Sequence, residues 1–179
     1  RDPGNLYFGI LCLIVSFRTV LTGERLVLDV LPALDWTVLS RMEYLTVYLG
    51  MPVFIWFTDA LFDVKPAWLP KSFQIAGLVW AATCMISAPP LFTRLIQPFQ
   101  LIALLVFLVA AHRVVRGILR KEESSALFLG GLLVILLAFV LDVMSANEIV
   151  NLSFIFPAGL FIFIFVQSFM LSLRFANAF

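Results

Sequence analysis

Charge is what this 179-residue sequence has least of: Asp, Glu, Lys and Arg together make up 13%, against about 25% in soluble domains. With 63% hydrophobic residues, a water-soluble fold would have to expose much of its apolar surface. The formal net charge of +1 supplies no basic field for nucleic acid or another polyanion. Cysteine is scarce too. Cys12 and Cys84 both fall in apolar stretches and read as buried reduced thiols rather than a disulfide. No spacing of His, Cys or acidic residues suits a metal, and no glycine-rich loop is placed to cradle a phosphate. Gly130-Gly131 lies inside an apolar run, where it suits close helix packing. Lys65, Lys71 and Lys121 all fall in turns, and a chain with no lysine inside a span cannot hold a retinal Schiff base. No catalytic residue, metal or cofactor is expected.

What the sequence has instead is long apolar runs parted by short polar turns, with a mean hydropathy of +1.07. A membrane crossing takes about 20 apolar residues. The expected fold is therefore all-α, a single polytopic transmembrane helix bundle over residues 1–179 with six spans, at about 6–21, 41–62, 73–88, 93–115, 126–144 and 149–179. The stretch from Leu26 to Ser40 is broken by Asp29, Pro32 and Asp35. Its Leu26, Val27, Val30, Leu31 and Leu34 stand at helical spacing and predict a short helix lying in the interface. Pro52 is expected to kink the second span. Pro66 and Pro70 stiffen the following turn, and Pro89-Pro90 close the third span.

Lysine and arginine set the orientation. If the C-terminus is cytoplasmic, the inner side holds Arg1, Lys65, Lys71, Arg113, Arg116, Arg120, Lys121 and Arg174, and the outer side Arg18, Arg25, Arg41 and Arg94. The loop from Ser145 to Asn151 has no positive residue. Both termini are thus expected in the cytoplasm. Trp36, Tyr44 and Tyr48 fit an aromatic belt at one interface, and Tyr7 and Trp68 at the other.

Ionisable groups within spans are costly and tend to be functional. In this orientation Arg18, Glu43 and Asp142 share the outer part of the membrane, with Gln97 and Gln100 in the outer half of the fourth span and Asn147, Glu148 and Asn151 in a neighbouring loop. Arg18 lies four residues inside its span, so Glu43 or Asp142 is its expected partner. The set reads either as an outer polar pocket or as a structural ion pair with interface anchors. Asp59 and His112 mark the opposite interface. The last span is long: 31 residues from Ile149 to Phe179 would make a helix of about 46 Å. Pro157 offers a kink in it, and Gln167, Ser168, Ser172, Arg174 and Asn177 turn it polar by steps toward its end.

Four segments carry a family likeness. They are Asn5-Leu6-Tyr7-Phe8-Gly9; Arg18 to Arg25 followed by Leu31-Pro32-Ala33-Leu34-Asp35-Trp36; Arg41-Met42-Glu43-Tyr44-Leu45; and Gln167-Ser168-Phe169 with Leu173 to Phe179. With these the chain resembles the membrane domain of the bacterial seven-transmembrane receptors with diverse intracellular signalling modules. That family has seven spans and an outside N-terminus, so the six spans here, opening on Arg1-Asp2-Pro3-Gly4-Asn5 without an initiator Met, are expected to be a piece of a longer chain lacking the family's first span. The resemblance implies a bacterial inner-membrane receptor of the sensor and two-component type. In it an extracytoplasmic sensor domain and a cytoplasmic output domain of the same chain (a histidine kinase, nucleotide cyclase or diguanylate cyclase) flank the spans, and the receptor works as a homodimer. The expected function is signal transmission across the lipid bilayer, without catalysis in the domain itself, through movement of the last helix with its Pro157, Gln167 and Arg174. Two other classes compete. A small transporter would need polar groups near the midplane of several spans, where Leu, Ile, Val and Phe dominate. A structural anchor or assembly module would account for Arg18, Glu43 and Asp142 equally well.

Overall fold

Prolines and polar turns cut the chain into eight helices, α1 Pro3–Leu21, α2 Val27–Val30, α3 Trp36–Leu61, α4 Trp68–Ile86, α5 Pro89–Arg94, α6 Ile96–Leu119, α7 Ser125–Ala146 and α8 Phe156–Asn177. The computed structural model describes residues 3–22, 27–62, 68–119, 125–146, 148–150 and 155–177, and of residues 146, 174, 175 and 177 the backbone alone. Among the described residues there is no strand, and six helices (α1, α3, α4, α6, α7 and α8) are long and apolar enough to cross a membrane. The chain is an all-helical, multi-pass membrane protein. It divides into two units, Arg1–Val106 and Phe107–Phe179.

Helix boundaries follow local chemistry. Asp35 starts α3: its Oδ1 accepts from the Thr37 N–H at 2.7 Å and the Val38 N–H at 3.4 Å, satisfying amides that a helix start leaves unpaired. This cap lets the helix begin at Trp36, one turn before the sequence predicts, and α3 then runs on through Pro52 to Leu61. Pro70 falls in the first turn of α4, where a proline sacrifices no hydrogen bond, so that span begins at Trp68 rather than near Phe73. Pro89 and Pro90 do more than close a span: they open the short α5. The predicted interfacial helix is a single turn, Val27–Val30, closed by the Leu31 N–H to the Val27 carbonyl at 2.8 Å.

In the first unit α3 is the middle helix, packed against α1 on one side and α4 on the other. Along α1, Tyr7 meets Trp56 and Phe8 meets Phe57, with ring centroids 5.9 and 5.4 Å apart. Toward α4 the approach is closer, and Gly77 is the reason. A Cβ there would stand 2.8 Å from Pro52 Cδ and 3.2 Å from the Tyr48 carbonyl oxygen. That carbonyl is the one Pro52, lacking an N–H, cannot serve, and only glycine lets a neighbouring backbone come so near it. The buried core of this unit is aromatic around Tyr48, whose ring stacks edge-on against Phe99 at 4.8 Å.

In the second unit α7 and α8 run antiparallel and pack along their lengths. Buried Phe128 and Phe163 meet edge-on at 6.1 Å, and Phe139 bridges Phe107 and Phe156 at 5.6 and 6.1 Å. Two small residues bring the backbones together: a Cβ on Gly159 would overlap the Ala138 Cβ, and one on Gly131 would lie 2.8 Å from Gln167 Nε2. The turn at the end of α7 closes with the Glu148 N–H on the Ser145 carbonyl and the Ile149 N–H on the Met144 carbonyl, each at 3.0 Å. Glu148 takes φ of 59°, the left-handed conformation that usually selects glycine after a helix.

The last helix corrects the sequence reading. The predicted rod from Ile149, kinked at Pro157, is replaced by a helix that starts at Phe156 with Pro157 as its second residue. A proline there costs the helix nothing, so it begins the helix instead of bending it. The 22 residues of α8 make about 33 Å, close to the ~30 Å of a hydrocarbon core and well short of 46 Å.

Candidate functional site

The polar side chains of the first unit gather where α1 ends and α3 begins. Arg18 stands in the last turn of α1, a position whose free carbonyls favour a cation. Its Nη1 crosses to α3 and donates to the Glu43 carbonyl at 3.1 Å and to Thr46 Oγ1 at 3.4 Å, while Thr46 Oγ1 donates to the same Glu43 carbonyl at 2.6 Å. Behind it, Thr22 closes the helix by donating both its N–H and its hydroxyl to the Arg18 carbonyl at 2.9 Å. The sequence-predicted meeting of Arg18 with Glu43 is therefore present, with the Glu43 backbone as acceptor.

On the other side of α3, Arg41 does the reverse job. Its Nη1 donates to the Met85 carbonyl and its Nη2 to the Ser87 carbonyl at 2.9 Å, at the end of α4. The guanidinium fork thus holds two carbonyls that the helix itself leaves free. Cys84 Sγ returns a contact of 3.6 Å to the Arg41 carbonyl. The two arginines give α3 a charged tie to each flanking helix at the same end.

Below them are two ties that sequence reasoning missed. Fully buried Tyr48 donates its hydroxyl to the Phe92 carbonyl of α5 at 2.8 Å, and Trp80 Nε1 donates to the Leu95 carbonyl at 3.1 Å. Both were assigned to membrane belts or left aside because a tyrosine or tryptophan near a span end fits a belt without needing a partner. Arg41 was likewise counted only for topology. The signal that could have found it was its depth: it stands five residues after Trp36 in a helix opened by Asp35.

Of the other predicted residues, Gln97 is exposed and Gln100 half-buried in the first turns of α6, within the first unit. Asp142 belongs to the second unit, where its Oδ1 accepts from the Ile155 N–H at 2.9 Å and so caps the approach to α8. Gln167 is fully buried on α8. The Arg174 side chain, Asn147 and Asn151 lie outside the described residues. Toward the other end of α3, Gln74 Nε2 donates to Asp59 Oδ2 at 3.4 Å, and His112 is exposed on α6.

Most of these donors end on a backbone carbonyl at or near a helix terminus. Such an arrangement fixes where helices end relative to one another. No group of three or more His, Cys, Asp or Glu among the described residues could hold a metal ion. Against this geometry the comparisons give one positive finding: the family model described as 7TM diverse intracellular signalling matches residues 1–174. No curated protein and no solved structure matches the chain.

Proposed function

The chain belongs to the 7TM diverse intracellular signalling family, and from that premise we propose that it relays an extracytoplasmic stimulus to a cytoplasmic output module through displacement of α8. The observation that carries the reading is the family match across residues 1–174; the polar ties at the α1–α3–α4 end support it as a place where a stimulus could change how helix ends are held. Output by a histidine kinase or a cyclase, pairing into a homodimer, an inner-membrane location and cytoplasmic termini all belong to this proposal. The lysine and arginine distribution supports the orientation. It is tested by an impermeant thiol reagent, which reaches a cysteine placed at exposed Glu148 in intact cells and misses one placed at exposed His112.

The relay itself is tested in a full-length receptor carrying this domain. Alanines inserted after Asn177 turn whatever follows by about 100° each. Output that rises and falls with insert length supports a helix read by its rotation or tilt. Output independent of insert length overturns the reading.

A further inference from the structure

Gln167 is the largest polar side chain buried without a match. It is fully buried near the middle of α8, and neither its Oε1 nor its Nε2 has a hydrogen-bond partner. An amide has no water to turn to at that depth in a membrane helix, so an unmet donor and acceptor oppose the packing that buries them. The amide occupies the notch that Gly131 leaves on α7: a Cβ at Gly131 would stand 2.8 Å from Nε2, with Phe163 and Val166 of α8 at 3.3 and 3.4 Å.

The two ends of this helix pair differ. Toward the α7–α8 turn the polar groups are matched and the backbones touch: Asp142 accepts from the Ile155 N–H, and Gly159 lies against Ala138. Beyond Gly131 the same α7 ends in a second unmatched buried group, Ser125 Oγ. One end is pinned and the other carries the polar mismatch.

We propose that α8 has two packings against α7, pivoting on the Asp142–Ile155 and Ala138–Gly159 contacts, and that Gln167 selects between them. In the packing described here the amide sits unmatched in the Gly131 notch. In the second, a small rotation of α8 turns the amide onto an α7 backbone carbonyl that Gly131, having no side chain, leaves uncovered. Gln167 lowers the stability of the first packing and is the hydrogen-bonding gain of the second. A two-state element needs packings with distinct contacts and similar free energies, and an unmatched amide beside a glycine notch supplies both. The inference rests on α8 as the transmitting helix and adds the residue that makes it bistable.

The test is short-range dipolar EPR on the 179-residue chain in lipid nanodiscs, in a Cys12→Ser, Cys84→Ala background. One label pair, at Leu127→Cys and Phe169→Cys, reports the Gln167 end; the other, at Val140→Cys and Phe161→Cys, reports the pivot. All four positions are exposed. The expected result is two distances at the Gln167 end and one at the pivot. Gln167→Met removes the amide at similar volume and should collapse the first pair onto one distance. Gly131→Ala fills the notch and should collapse it onto the other. A single distance at the Gln167 end, unmoved by either substitution, overturns the inference. The alanine insertions judge the relay separately, through receptor output, so the two can fail independently.

Discussion

The two units join their helices by different means. In the first, side chains cross from one helix to the backbone of the next: Arg18 to Glu43, Arg41 to Met85 and Ser87, Tyr48 to Phe92, Trp80 to Leu95. In the second, α7 and α8 come together through small residues, Gly131, Ala138 and Gly159, with one described polar tie at Asp142. Polar ties specify where a helix ends but tolerate small changes in distance, since a long side chain can follow. Close backbone packing does the opposite: it demands an absent Cβ and leaves the axial position to shape alone. Without water to drive helices together, a membrane protein has these two resources, and this chain uses one in each unit.

The comparison predicts that steric insult should hurt the second unit most. Gly159→Val places a branched side chain onto Ala138 and should cost about 3 kcal/mol, read as lost stability in detergent unfolding. Gly130, with nothing near its Cβ position, is the control: Gly130→Ala should leave stability unchanged or raise it by up to about 1 kcal/mol. If both substitutions behave alike, close packing does not hold α7 to α8.

Loss of a polar tie should hurt the first unit. Arg41→Met strips two carbonyls at the end of α4 of their donor, at a cost of about 2 kcal/mol for charge-assisted hydrogen bonds. Arg41→Lys should recover only part of that, because an ammonium lacks the planar fork that spans two acceptors. Equal stability of the two variants would mean that charge alone matters there. The polar tie of the second unit should be weaker: Asp142→Leu should cost about 1 kcal/mol, and Asp142→Asn, which keeps the acceptor for the Ile155 N–H, should be nearly neutral.

The smallest effect is expected at Asp35, outside the spans. The hydrogen bonds from Thr37 and Val38 hold its carboxyl below the usual carboxylate range. A group whose folded pKa is depressed stabilises above its unfolded pKa, and that contribution disappears as pH falls through the folded value. The start of α3 should therefore loosen on acidification below the ordinary Asp range. Asp35→Asn keeps an acceptor for the cap and should remove this pH dependence. Hydrogen exchange of the first turn of α3, measured across that range in both forms, checks it.

The spans were legible because bilayer thickness imposes a length and a composition that no soluble element shares, and each predicted span contains a helix here. Their boundaries were harder. Pro70 and Pro157 read as interruptions in sequence, yet both stand in first turns, where the missing N–H is already surplus. The meeting of Arg18 with Glu43 was readable from depth and charge, but not that the acceptor is a carbonyl, since every residue carries one. Arg41, Tyr48 and Trp80 were hidden for the same reason: their partners are backbone atoms, which leave no mark in a sequence. Gln167 was noticed as a polar step on the last helix. Its burial depends on the absence of a side chain at Gly131 on another helix, and no local pattern encodes that.

Pro157 has a mechanical consequence. Residues ahead of it cannot be wound onto α8, because continuing the helix upstream would set the proline ring against a preceding carbonyl and cost about 3 kcal/mol. The helix consequently cannot grow at the expense of its loop, nor can the loop feed it slack. Its stroke is that of a rod of constant length: what enters at one end as a push, tilt or twist arrives at the other undiminished by winding.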